Sequence, residues 1–287
     1  MGSENIGRKE SYFEAAGGRR LFLHSWLPDA PARVLILVHG FGEHGGRYLE
    51  LAHWFAERAF AVYAYDQAGH GRSPGPRGHV DRFGDLLDDL ETLIDLVSRT
   101  HPGLERVLLG HSMGGLVVAA LVCEREPSVD LLITSGAALT LSPDLSSGKL
   151  LLARILSRLL PRLSMNAGLD SEGLSRDPEV VRRYLADPLV HGSMSAAAGA
   201  GMMHQIQALK GAAARVSIPA LILHGEADPL CLASGSRNFY AGLPHETVAG
   251  SALRIYPNLR HEIFNEPERE EIYADVLDWV LRMKAMQ

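Results

Sequence analysis

The sequence predicts an α/β fold, a mostly parallel central sheet flanked by helices, with a helical insertion near the middle of the chain. Three observations carry this expectation. Short apolar runs alternate with segments of helical spacing through the first half of the chain. One such run, Arg33 to Val38 (RVLILV), is apolar and β-branched after its first residue, as a strand buried on both faces requires. The alternation lapses from about 136 to 210 and then resumes, and insertions in parallel sheets typically sit over the carboxyl ends of the strands.

In chain order, Leu21 to Trp26 reads as a strand after the Gly17-Gly18 turn. The RVLILV strand and an amphipathic helix from Tyr48 to Arg58 follow, then a short strand from Ala61 to Tyr65. Phe83 to Arg99 has apolar residues at 83, 86, 87, 90, 93, 94 and 97, which is helical spacing. Arg106 to Leu109 is the next strand, Leu116 to Cys123 the helix behind it, and Asp130 to Thr134 another strand. After the insertion, Ala220 to Leu223 and Leu253 to Tyr256 complete the strands, and Glu268 to Met283 is the last helix. This divides the chain into a core (1–135 and 211–287) and a helical lid (136–210).

With 287 residues, 46% of them hydrophobic, the chain can bury one large core. A net charge of -6 opposes general nucleic-acid binding. No apolar run reaches transmembrane length. The start, MGSENIGRKESYF, lacks the apolar core of a signal peptide. Of two cysteines, Cys123 lies on an apolar helix and reads as core; with no disulfide framework, a cytoplasmic location is expected.

Arg106 to Arg125 (RVLLGHSMGGLVVAALVCER) is the most informative stretch. A strand runs into Gly-His-Ser-Met-Gly-Gly and out into a helix, which is the context of a nucleophile elbow with Ser112 at its tip. Gly110 and Gly114 leave room where a side chain would strike backbone. Gly71-Arg72-Ser73-Pro74-Gly75 also fits G-x-S-x-G, but no apolar strand leads into it, and Pro74 and Pro76 disfavour a helix after it. A serine hydroxyl needs a base. In this arrangement an acid and then a histidine follow the serine along the chain. Asp228, on the loop after the 220–223 strand, is the candidate acid; Glu226 is a competitor tighter to the strand. His261, after the last strand, is the candidate base; His245 precedes that strand and should lie at the wrong end of the sheet. The oxyanion needs two backbone donors, for which Met113 N–H and Phe41 N–H, in His39-Gly40-Phe41-Gly42, are the candidates. His39 and His44 do not form a helical zinc pair, because glycines interrupt the segment. His111 reads as a pocket or packing residue. Neither a metal nor an organic cofactor is expected.

Five blocks together resemble the monoacylglycerol lipase and lysophospholipase group of α/β-hydrolases. They are His39-Gly40-Phe41-Gly42-Glu43-His44 with Arg47-Tyr48; Asp66-Gln67-Ala68-Gly69-His70-Gly71-Arg72-Ser73; Gly110 to Gly115; Leu174 to Asp177 with Asp187 to His191; and Tyr256 to Glu262. The resemblance runs from about Phe13 to near the C-terminus. It implies Ser112, Asp228 and His261 as a triad, Phe41 and Met113 as oxyanion donors, and a structural rather than catalytic Ser73. It also implies a thiol, Cys231, close to the pocket; a cysteine there reads equally as inert and buried. Gln67-Ala68 departs from the more usual basic or aromatic pair.

The implied activity is hydrolysis of monoacylglycerol to glycerol and fatty acid through an acyl-enzyme on Ser112. Lysophospholipid, simple or thioester hydrolysis and transfer to an alcohol use the same chemistry, and a catalytically silent binding protein is a reading of another class. Lys149 to Met165 (KLLLARILSRLLPRLSM) reads as an apolar helix edged by Arg154, Arg158 and Arg162, with Pro161 bending or ending it. It is either a lid packed on the body or a partly exposed element that touches lipid surfaces. Glu172, Asn166 and His191 are candidates for a head group. No motif reports the oligomeric state.

Overall fold

The computed structural model describes residues 6–141 and 147–286, with side chains left aside at 147, 149–153 and 286. The elements in order are β1 (Gly7–Glu14), β2 (Arg20–Leu27), β3 (Arg33–Val38), α1 (Leu49–Ala56), β4 (Phe60–Tyr65), α2 (Phe83–Thr100), β5 (Glu105–His111), α3 (Met113–Glu124) and β6 (Leu131–Ser135). Then follow α4 (Ser147–Leu159), β7 (Ser164–Asn166), α5 (Pro178–Ala186), β8 (Ser193–Ser195), α6 (Ala196–Ala208), β9 (Ala220–Gly225), α7 (Ala233–Ala241), β10 (Ala252–Tyr256) and α8 (Arg269–Met286).

Eight strands form one sheet in the order β1-β2-β4-β3-β5-β6-β9-β10. From β4 to β10 all neighbours are parallel, whereas β2 runs antiparallel to both β1 and β4. The central strands alternate between two cores. Val34, Ile36 and Val38 face the layer of α2 and α3, and Leu35 and Leu37 face the layer of α1 and α8. That two-sided burial explains the unbroken apolar run of β3.

All the expected strands and helices of the core are present, within two or three residues of the expected ends. Two further elements carry no clear sequence signal. β1 is an edge strand of mostly exposed, polar residues, so nothing apolar marks it. α7 is short and weakly apolar. Between β6 and β9 the insertion holds α4, α5 and α6, together with a β7–β8 ribbon in which Met165 pairs with Met194. The helix expected over 149–165 stops at Leu159, because Leu160 precedes Pro161 and cannot comfortably stay helical.

Candidate active site

β5 delivers Ser112 to the carboxyl edge of the sheet, and α3 begins at the next residue. Ser112 has φ 54° and ψ -117°, a conformation costly for a residue with a side chain and held by its surroundings. Those surroundings are the glycines. A Cβ on Gly110 would strike the Gly114 carbonyl, and one on Gly114 would strike the carbonyls of Val38 and His39. The β3 loop therefore packs against the turn: a Cβ on Gly40 would lie 3.1 Å from Ser112 Cβ. Among the described residues, neither Phe41 N–H nor Met113 N–H has an acceptor.

The histidine and the acid arrive from the other half of the chain. His261 Nδ1 lies 2.7 Å from Asp228 Oδ2, with both side chains buried. Asp228 Oδ1 accepts the N–H groups of Leu230 and Cys231 at 2.8 and 2.9 Å. Burial would raise the Asp228 carboxyl, but His224, His261 and the Cys231 N–H hold it well below the usual carboxylate range. Burial likewise opposes charge on His261, yet the Asp228 hydrogen bond and charge, with Glu262 and Glu43 behind them, bring it above its ordinary value.

Ser112 and His261 line one cavity of about 190 Å³. Phe41, His111, Cys231 and the carboxylates of Glu43 and Glu262 line it too, and Leu169, Leu174, Tyr184, Met194 and Met202 of the insertion form part of its wall. The His111 ring lies 4.6 Å from the His261 ring at a tilt of 54°, and burial and that neighbour push it down to about 4, so it is neutral near pH 7. The Cys231 thiol is pushed up by burial and by Asp228, against a small opposite pull from Ser112, and is not a thiolate. Cys123 is buried in the core layer of α3.

The rival residues fall elsewhere. Ser73 Oγ donates to the Asp66 carbonyl at 2.5 Å and accepts the Phe22 N–H at 2.8 Å, tying β2 to the end of β4. Glu226 and His245 are exposed, and His245 packs on Tyr240. None of Glu172, Asn166 and His191 lines the Ser112 cavity; His191 N–H instead donates to the Gly42 carbonyl. His24, His44 and Asp66 come close enough to hold a metal ion. All but His24 Nδ1 are already engaged: Asp66 takes the His24 ring through Nε2 and the N–H groups of Gly45 and Arg72, and His44 spans Gly46 N–H and Asp187. This is a loop-tying network.

Sequence reasoning gave no role to the supports around the site. His224 Nε2 sits 3.1 Å from Asp228 Oδ2, and its Nδ1 2.7 Å from Ser236 Oγ. Glu43 Oε1 accepts Gly40 N–H at 2.6 Å and the Tyr48 hydroxyl at 2.7 Å. Arg47 reaches both Glu43, at 2.5 Å, and Glu262, at 2.6 Å. The Gln67 amide donates to the His39 carbonyl at 2.8 Å, which gives the departure at 67 a structural role. An acid and an arginine four apart in a glycine-rich loop are the only trace of this network in the sequence.

Parallel sheets that present a serine in this way, beside an imidazole tethered to a carboxylate, belong to serine hydrolases of the α/β-hydrolase fold. The chain is a member of the hydrolase family described as serine aminopeptidase, S33, whose profile matches residues 29–268. It is similar to the monoacylglycerol lipase of Mycolicibacterium smegmatis, 37% identical over 276 residues that cover 96% of this chain and 97% of that one. Human monoglyceride lipase is 32% identical over 94% of this chain and 89% of its own. The crystal structure of Paleococcus ferrophilus monoacylglycerol lipase superimposes with a TM-score of 0.83 at 34% identity, covering 91% of this chain and 98% of that one.

Proposed function

We propose that this protein hydrolyses monoacylglycerols to glycerol and fatty acid, with Ser112 as nucleophile, His261 as base and then acid, and Asp228 as its orienting carboxylate. The observation that carries this reading is the 2.7 Å Asp228–His261 hydrogen bond beside a serine at a strained strand-to-helix turn. Asp228 holds the proton of His261 on Nδ1, leaving Nε2 as the acceptor for the serine proton. The alkoxide attacks the ester carbonyl, and Phe41 N–H and Met113 N–H stabilise the oxyanion. Collapse expels glycerol, which takes the proton from His261. A water activated by the same imidazole then releases the fatty acid.

The substrate class is supported by the relatives' activities and by the cavity wall. Leu169, Leu174, Met194 and Met202 suit an acyl chain, and Glu43 and Tyr184 offer polar groups for a glycerol. Residues 136–210 act as the lid over a core of 1–135 and 211–287. Leu159, Leu160 and Leu163 at its edge are 73%, 53% and 41% exposed, and make a reversible contact with lipid aggregates. No described helix is long and apolar enough to cross a membrane.

The test is turnover of 1-monolauroylglycerol beside lauroyl lysophosphatidylcholine, dilauroylglycerol and p-nitrophenyl butyrate, each with a Ser112→Ala control. Highest turnover on the monoacylglycerol, abolished in the variant, is expected. Turnover on the short ester alone would keep the chemistry and overturn the substrate.

A further inference from the structure

A cavity of about 510 Å³, larger than the one at Ser112, lies between α4 and α6. α6 separates the two: Met202 faces Ser112, whereas Ala200, Met203 and His204 face the second cavity. Arg154 and Arg158, one helical turn apart, line its α4 side with Ser157. Three other arginines of the insertion hold carboxylates, Arg176 on Glu268, Arg182 on Glu179 and Arg183 on Glu50, whereas Arg162 lies outside the cavity. Among the described residues, Arg154 and Arg158 have no such partner. The one acid on the cavity, Asp81, is 72% exposed and bonded to His79. Ala200 and Met203 also line an adjoining cleft of about 250 Å³, whose walls include Leu156, Met165 and Met194. An open groove flanked by the exposed Arg154 and Arg158 thus adjoins an apolar arm.

We propose that the space between α4 and α6 binds a single-chain anionic amphiphile, specifically a free long-chain fatty acid, outside the Ser112 cavity. The carboxylate sits between Arg154, Arg158 and His204, where charge-assisted hydrogen bonds are available. The alkyl chain runs past Ala200 and Met203 into the apolar arm. Met194 lines both that arm and the Ser112 cavity, so the bound chain shares a wall with the catalytic cavity. The site stands on its own geometry; only the identity of its ligand as the reaction product rests on the proposed function.

The experiment measures binding, not turnover. Dodecanoate affinity is determined by calorimetry for the full chain and for the Arg154→Gln/Arg158→Gln and Ala200→Leu variants, with thermal melts to show that each is folded. A diazirine-bearing fatty acid is photocrosslinked in parallel, and its attachment sites are mapped. The double variant should weaken dodecanoate by about tenfold or more, the loss expected when a hydrogen bond to a charge is removed. Ala200→Leu should weaken it with both arginines in place, and dodecanol should bind less well than dodecanoate. Crosslinks should fall on 154–158 and 197–207. Crosslinks confined to the residues around Ser112, or unchanged affinity in both variants, would overturn the site. A loss seen only for phosphatidylglycerol vesicles would overturn it too, by assigning the arginines to a membrane surface.

Discussion

Arg47 grips Glu262 through two nitrogens, at 2.6 and 2.9 Å, across 215 residues of chain. The same guanidinium holds Glu43, whose other oxygen fixes the Gly40 N–H beside Ser112. One buried cation therefore joins the 39–43 loop to the loop that carries His261. Removing a partner from a buried pair costs about 3–5 kcal/mol, because the charges left behind stay unpaired. Arg47→Met strands two carboxylates and should lower the melting temperature more than Glu262→Gln, which leaves the Glu43 pair intact. Calorimetric melts of both variants check the order.

Asp228→Asn should keep the fold and lose about 10⁴-fold in kcat, since an amide no longer selects the useful tautomer of His261. Stopped assays on a soluble short ester, with circular dichroism as the fold control, measure this.

The pH profile follows from the direction of the His261 shift. On the proposed assignment His261 has to be neutral to take the serine proton, so kcat/KM should fall as pH drops through its raised value. Glu43→Gln removes one of the charges that raise it, so the acid limb should move to lower pH. Stability carries a separate signature. Burial would raise the Glu43 carboxyl, but Arg47, His111, His39 and Tyr48 hold it at about 2, against an ordinary 4.5. Its contribution is full above the unfolded value and is lost as pH falls from there toward 2. Urea midpoints across that window should fall for the wild type and flatten for Glu43→Gln.

Gly114→Ala places a methyl group against the Val38 and His39 carbonyls. It should cost at least the ~1–3 kcal/mol of an overpacked core and push the oxyanion loop from the serine. Lower urea midpoints together with slower phosphonate labelling of Ser112 are expected.

Leu159 and Leu160 are exposed, whereas Leu156 turns into the cleft beside Met165. Leu159→Ser/Leu160→Ser should therefore lower turnover of dispersed monoacylglycerol more than that of p-nitrophenyl butyrate. An equal loss on both would remove the surface-contact role.

The buried strands and the elbow were legible in the sequence because each depends on local chemistry. Two-sided burial makes β3 continuously apolar, and steric contact with backbone demands glycine at 110 and 114. Chain order located Asp228 and His261, and the structure brings them together. The supports were not legible. Arg47 and Glu262 act through each other across 215 residues, and His224, though only four residues from Asp228, sits in a buried strand with no pattern that marks it. An isolated polar or charged residue looks the same whether it faces water or a buried carboxylate. β1 is not marked because most of its residues are polar and exposed on both faces, and the cavity between α4 and α6 is not marked because its parts are ordinary surface residues until two helices meet.

The long reach from Arg47 to Glu262 also bears on biosynthesis. Ribosomes release the chain from its amino end, so the strand-to-helix turn at Ser112 can form while Asp228 and His261 are still unmade. On the proposed assignment, a growing polypeptide would carry Ser112 with no base to activate it and with the 39–43 loop only half anchored. On that assignment, competence waits until Glu262 docks on a guanidinium made 215 residues earlier. Chains that stop short of Asp228 and His261 should therefore be inert toward esters.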